Sequence, residues 1–246
     1  MARVATDTSR TPRRLSWPEV RSYLSAEWEP GQHFSVLAPT GYGKSYLVTK
    51  GLLPLWSHTL ILDVKGDDAT LASAGHRSTK GYPSRWDLLL AGEDSQRWRI
   101  HPGGFSKGLR PAWHDVFAQV WRSGADKDTA TWTVYADETR LLADPQYLGM
   151  KAWLDALWIS GRSRGLTLIA GTQAPRWVPS SFYDQPRWLA IGQVRDRNTL
   201  RRLSEIGGDT EMMMDTVPRL GWHEFLFLGP QWSAIAKLPG RSASSR

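Results

Sequence analysis

The chain has 246 residues, 41% of them apolar and 14 of them tryptophan, which is enough to build one sizeable core and incompatible with disorder throughout. It contains no cysteine, excluding disulfide frameworks and thiolate metal sites. No run approaches the roughly 20 apolar residues of a membrane-spanning helix, and the N-terminus lacks the apolar core of a secretory signal, so a soluble, cytoplasmic protein without a membrane span is expected. A formal charge of +7 favours polyanionic partners through counterion release and steering, but the same excess would also serve solubility, so charge alone leaves nucleic-acid binding open.

Along the chain, residues 1–14 are rich in Arg, Thr and Ser and are expected to form a flexible basic tail, with a second tail at 241–246 and a single domain over 15–240. Short β-like runs follow at HFSVL (33–37), TLILDV (59–64), TWTVYA (131–136), LTLIAG (166–171) and RWLAIGQV (187–194). Between them lie helical patterns. Trp113, Val116, Phe117, Val120 and Trp121 recur at helical spacing within 111–123, and Tyr147, Met150, Leu154, Leu157 and Trp158 do so within 146–160. A third helix over about 197–206 carries Leu200, Leu203 and Ile206 and is expected to stop at Gly207-Gly208. The segment WHEFLFLGPQWSAIAKL reads as a hairpin turning at Gly229-Pro230. Alternation of this kind predicts an α/β fold, a mostly parallel sheet with helices on both faces plus a C-terminal β-hairpin.

The first strand runs into APTGYGKS, residues 38–45, where Ala38 stands at the first glycine position of the phosphate-loop pattern G-x-x-x-x-G-K-[ST]. Alanine is small enough for that position. The order of strand, glycine-containing loop and helix start is what phosphate binding needs, because backbone N–H groups and a helix N-terminus then face the anion. Thr40, Gly41, Tyr42, Gly43, Lys44 and Ser45 are the expected ATP-binding residues, with Lys44 reaching the β- and γ-phosphates and Ser45 a ligand to Mg²⁺.

Guanine recognition by Asn-Lys-x-Asp is excluded, since the only asparagine is Asn198, followed by Thr199. The strand TWTVYADET instead ends in Asp137-Glu138. Asp137 there is expected to hold Mg²⁺ through water, and Glu138 to polarise a water for attack on the γ-phosphate. A glutamate in that place suits hydrolysis and counts against phosphoryl transfer to a metabolite.

Four segments, APTGYGKS (38–45), LILDVKGDD (60–68), VYADE (134–138) and GRSRGLTLIAGTQAP (161–175), together resemble the FtsK–HerA superfamily of DNA-pumping ATPases. The family's Asp-x-Lys-Gly element is matched by Asp63, Lys65 and Gly66, its Gly-Arg element by Gly161-Arg162, and its Thr-Gln-x-Pro element by Thr172, Gln173, Ala174 and Pro175. The resemblance implies a RecA-like P-loop NTPase core that hydrolyses ATP and translocates double-stranded DNA with little regard to sequence, as a homo-oligomeric ring. FtsK and the coupling proteins of that superfamily carry membrane anchors and the filamentous-phage relatives a membrane span, so the expected likeness is to compact viral genome-packaging ATPases, acting in the host cytoplasm or on the virion with a capsid vertex or portal-like protein. A plasmid-transfer or DNA-processing motor is the near alternative, and a nucleotide-dependent assembly switch that moves no DNA is a second.

Gln173, at the end of its strand, is placed to contact the γ-phosphate or attacking water. Arg162 and Arg164 before that strand, and Arg195 and Arg197 after the next, are candidates for an arginine supplied to a neighbouring subunit's site. The basic, glycine-rich stretches 75–85 and 103–111 are candidate DNA-contacting loops. Six scattered histidines form no zinc motif, and no G-x-S-x-G elbow supports serine hydrolysis.

Overall fold

The computed structural model describes residues 11–85, 87, 88, 95–124, 131–173, 178–207 and 210–239. The tail residues 1–10 and 241–246, Ala174, Pro175 and Gly208 lie outside the described residues, as does the side chain of Ile206.

Ten strands form one sheet: β1 (Arg13–Arg14), β2 (Phe34–Leu37), β3 (His58–Leu62), β4 (Arg77–Thr79), β5 (Gln96–Ile100), β6 (Trp132–Ala136), β7 (Leu166–Thr172), β8 (Trp188–Ile191), β9 (Glu224–Gly229) and β10 (Trp232–Lys237). Their spatial order is β1-β10-β9-β8-β2-β7-β6-β3-β5-β4. From β8 to β4 every pairing is parallel, while β9 runs antiparallel to both β8 and β10. The expected hairpin is therefore present as β9–β10, and it extends the sheet beyond β8. The order places β7 between β2 and β6, so the ends of all three meet side by side.

The sheet is buried on both faces, and the two-residue period of each strand divides its side chains between them. Leu60 and Leu62 of β3, Val134 and Ala136 of β6, and Leu168 and Ala170 of β7 join one core with the helices Arg110–Ser123 and Lys151–Ser160. Ile61, Tyr135 and Ile169 point the other way, into a core shared with Val20 and Leu24 of the helix Trp17–Glu27 and with Leu47, Val48 and Leu52 beyond the loop. The Trp17–Glu27 helix begins at Ser16, whose backbone N–H and hydroxyl both donate to the Glu19 carboxylate at 2.7 and 2.6 Å.

The structure differs from the sequence expectations in several places, the unforeseen Trp17–Glu27 helix among them. The basic segment 1–14 joins the sheet at its last two residues, Arg13 and Arg14 pairing in parallel with Ala234 and Ile235. The second helix starts at Lys151, because Asp144–Gly149 forms a turn held by Arg110, which donates through Nε to Tyr147 O at 2.9 Å and also to Pro145 O. Of the two candidate DNA loops, 75–85 contains strand β4, and 103–111 ends in the first turn of the 110–123 helix. Strand β5 was not foreseen.

Candidate nucleotide-binding site

Strand β2 ends at Leu37, and the loop that follows is closed at both edges by backbone bonds: Ala38 N–H to Thr172 O at 3.2 Å, and Gly192 N–H to Leu37 O at 2.8 Å. Gly41 and Gly43 adopt φ of +75° and +101°, the left-handed region that side-chain-bearing residues rarely enter. Gly43 precedes the helix Lys44–Tyr46, which widens to π geometry over Leu47–Leu52. The alanine at position 38 is buried, and its methyl faces Gly192, where a Cβ would come within 2.9 Å of it. Tyr42 turns its side chain away from the loop's open side: the phenol OH faces Glu224 O at 2.9 Å and also Gly221 O, and the ring meets Phe225 edge-on at 5.3 Å. It anchors the loop to the hairpin end of the sheet.

The loop borders a cavity of about 530 Å³, lined on one side by Pro39–Gly41 and Gly43–Tyr46 and on the other by Lys65, Asp67, Asp68, Asp137 and Gln173. Lys44 is buried and lies across its floor, its Nζ donating to Asp137 Oδ1 at 2.6 Å, to Asp137 O at 3.0 Å and to Tyr135 OH at 3.3 Å. Burial alone would lower the Lys44 pKa. The Asp137 carboxylate, with Glu138 and Asp68 behind it, more than reverses that, so the ammonium is held charged. Asp137 in turn stays ionised: burial opposes it, but Lys44 and the Tyr135 hydroxyl, donating at 2.6 Å, hold its pKa below the usual value.

Glu138 is buried next to this pair, and burial raises its pKa against the pull of Lys44 and Lys65. Lys65 Nζ stands 3.7 Å from Glu138 Oε2, an oxygen that is buried with no hydrogen-bond partner. Glu138 lies behind the cavity's lining residues; desolvation makes its carboxylate more basic, and one of its oxygens makes no hydrogen bond, which leaves it free to act as a proton acceptor. Gln173 reaches in from the end of β7, its Oε1 accepting from the Thr40 hydroxyl at 2.5 Å, so the strand between β2 and β6 touches the loop directly.

The Asp63–Gly66 turn, matched only by resemblance in the sequence, is a built structural element. Asp63 is fully buried; its Oδ2 accepts from Arg99 Nε and Nη2 at 2.8 and 2.6 Å, and its Oδ1 from Gly66 N–H at 2.8 Å. The turn presents Lys65 to Glu138. It also leads to Asp68, whose Oδ2 accepts from Ser45 Oγ at 2.8 Å while Oδ1 caps the helix Ala69–Ala72. Asp68 and Tyr135 are site residues that the sequence reading did not single out. Asp68 was inside a quoted motif, and Tyr135 is one strand period before Asp137, on the same face.

The oxygens of Ser45, Asp68 and Asp137 suit a hard cation. No trio of His, Cys, Asp or Glu among the described residues converges into a cage that would hold a metal unaided, so the ion that fits is one keeping most of its coordination in water and phosphate oxygens.

The four arginines separate into two groups. Arg162 and Arg164 precede β7 and so stand at the end of a seven-residue strand opposite Gln173, on the order of 20 Å away. Arg164 is engaged by Trp121, with its guanidinium 4.1 Å above the indole and Nη1 donating to Trp121 O at 3.5 Å; Arg162 is exposed. Arg195 and Arg197 follow β8 at the same end of the sheet as the loop, exposed and outside the residues lining the cavity.

Parallel strands in this order, with a phosphate loop after β2 and an acidic pair after β6, define a RecA-like P-loop NTPase fold. The chain is similar in structure to the genome packaging NTPase B204 of Sulfolobus turreted icosahedral virus 2, solved in complex with AMP, with a TM-score of 0.62 and 18% identity over 85% of this chain and 98% of B204. It is also similar to VirB4 of Thermoanaerobacter pseudethanolicus (TM-score 0.62, 13% identity, 86% of this chain and 90% of that one) and to the bacterial conjugative coupling protein TrwBdeltaN70 (TM-score 0.60, 14% identity, 94% and 93%). No protein-family model and no curated protein sequence matches the chain. Among the described residues no helix is long and apolar enough to cross a membrane.

Proposed function

We propose that this chain is an ATP-hydrolysing motor that moves double-stranded DNA, a viral genome-packaging ATPase that works as a homo-oligomeric ring. The carrying observation is the convergence of Lys44, Asp137 and Gln173 at one cavity beside the ends of β2, β6 and β7, with Glu138 buried just behind its lining, next to Asp137 and Lys65. B204, a genome packaging NTPase, is spanned over 98% of its length at 18% identity, against 14% for the bacterial conjugative coupling protein, which favours packaging over plasmid transfer.

With a triphosphate in the cavity, Lys44 exchanges its Asp137 contact for the β- and γ-phosphates, and Ser45 leaves Asp68. Mg²⁺ would be held by Ser45 and, through water, by Asp137, where it would draw charge off the phosphate oxygens. Glu138 accepts the proton of the attacking water, and Gln173 orients that water or the γ-phosphate and transmits the change through Thr40 to the loop. Attack forms the new oxygen–phosphorus bond as the bond to the ADP oxygen breaks. An arginine from a neighbouring subunit supplies further positive charge.

The test is ATP hydrolysis with and without duplex DNA of unrelated sequences. Hydrolysis should rise with any duplex, and DNA affinity should fall steeply with salt, log K dropping by about 0.9 per phosphate neutralised for each unit of log salt. ATP turnover indifferent to DNA would leave the assembly-switch reading in its place.

A further inference from the structure

The cavity beside the phosphate loop is chemically two-ended. Lys65, Asp67, Asp68, Asp137 and Gln173 make one end; His223, Leu238 and Pro239 make the other. Lys44 points into the charged end, toward β6 and β7, so a triphosphate whose terminal phosphates meet Lys44 must lead its remaining part along Gly43 toward the second end. There Leu238 and His223 are the nearest neighbours of Gly43: a Cβ on it would meet Leu238 Cδ1 at 3.5 Å and His223 Cδ2 at 3.6 Å, ordinary van der Waals contact. His223 and Leu238 are tied together by the Leu238 N–H, which donates to His223 O at 3.0 Å.

We propose that this apolar end is the nucleobase subsite, with the base stacked on the His223 imidazole and covered by Leu238 and Pro239. The inference rests on the nucleotide reading above and adds where the nucleoside lies. His223 is held for such a role at a conformational cost. Its φ is +62°, in the left-handed region that side-chain-bearing residues enter uncommonly, here within the turn closed by the Glu224 N–H to Gly221 O bond. Behind it, Trp222 stacks on the imidazole at 5.1 Å with an interplanar angle of 30°, and Tyr42 meets Trp222 edge-on at 5.4 Å. Trp222 itself is 62% exposed, a large apolar surface left in solvent directly beside the cavity. An aromatic pair beside Leu238 and Pro239 at this end of a cavity large enough for a triphosphate is suited to a flat heteroaromatic ring, because stacking needs a rigid face more than a hydrogen-bond pattern.

Calorimetric titration of the full chain with ATP and, separately, with inorganic tripolyphosphate, both with Mg²⁺, separates the base from the phosphates. His223→Gly removes the ring and relaxes the left-handed backbone, so it should fold at least as well as the parent. It should bind ATP about fivefold or more weakly and tripolyphosphate unchanged. Trp222→Ala, a surface change, should give a smaller loss in the same direction. Lys44→Ala should weaken both ligands. Unaltered ATP binding by both His223→Gly and Trp222→Ala overturns the base subsite and leaves the nucleotide site standing. An equal loss of both ligands in His223→Gly shows that the residue acts on the loop, and also overturns it. Failure of the unmodified protein to bind either ligand sinks the nucleotide reading itself.

Discussion

Lys44 and Glu138 are buried close enough to act on each other's charge and should fail differently when changed. The Lys44 ammonium is committed to Asp137 in the folded chain, so its removal leaves a buried carboxylate without its main partner and takes away the charge that meets the phosphates. Lys44→Ala is expected to weaken ATP binding by about 2–3 kcal/mol, the worth of a charge-assisted contact. Glu138→Gln keeps shape and polarity but cannot accept a proton, so it should bind ATP normally and hydrolyse it about 10²–10⁴-fold more slowly. Hydrolysis by Glu138→Gln at the parent rate would move the base elsewhere. A second residue outside the site has a consequence for stability. His33 is buried at the start of β2, accepts the Leu168 N–H on Nδ1 at 3.0 Å, and is pushed by burial down to a pKa of about 4 from an ordinary 6.5. Between those values the unfolded chain takes up the proton and the folded one does not. Stability from this group is therefore complete above pH 6.5 and declines as pH falls toward 4, by about 2 kcal/mol at pH 5. Urea midpoints at pH 5 and pH 7.5 should differ less in His33→Gln than in the parent.

Elements with a broad, mainly apolar buried face were legible in the sequence, and those that bury charge or only a narrow apolar stripe were not. Strands β2, β3, β6, β7 and β8 are nearly continuous apolar runs, as strands covered on both faces must be, and the loop between β2 and the next helix carries its own chemistry. Strand β5, QRWRI, hides its alternation because one inward residue is Arg99, whose partner Asp63 is 36 positions earlier. No local pattern announces that pair. The Trp17–Glu27 helix was missed for a related reason: only Val20 and Leu24 are buried along it, too narrow a stripe to stand out. In the candidate site, the residues on the loop and at strand ends carry their pattern in the local sequence, while Asp68 and the Tyr135 hydroxyl depend on how β3 and β6 align. The Arg99–Asp63 pair makes a prediction for its element. Arg99→Leu strands a buried carboxylate and should cost about 3–5 kcal/mol, read as a lowered denaturation midpoint. Combining it with Asp63→Asn should recover part of that loss, and a double variant no better than the single one would argue against direct pairing as the source of the cost.

Across the whole molecule, the direction of the parallel sheet decides which arginines can serve which site. Arg162 precedes β7 and so lies roughly a strand length from the cavity of its own chain, on the order of 20 Å, beyond the reach of any side chain. It is exposed, whereas Arg164 beside it is occupied with Trp121, so of this pair only Arg162 is available to a neighbour. Arg195 and Arg197 share the loop's end of the sheet but do not line the cavity, and they would serve a neighbour stacked on that edge instead. A ring in which one subunit's sheet end abuts the next subunit's loop brings one of these two sets onto the γ-phosphate, and an arginine given in trans is worth about 10³–10⁵ in rate. Single variants Arg162→Ala and Arg195→Ala should divide the sets, only one of them abolishing DNA-stimulated hydrolysis while leaving ATP binding intact. Mixing that variant with Lys44→Ala should then restore part of the activity, because some interfaces pair an intact loop with an intact arginine. Activity that stays at zero in every mixture, or a monomer that turns over ATP at the full stimulated rate at any protein concentration, would mean that each chain completes its own site and that the ring is not what makes it catalytic.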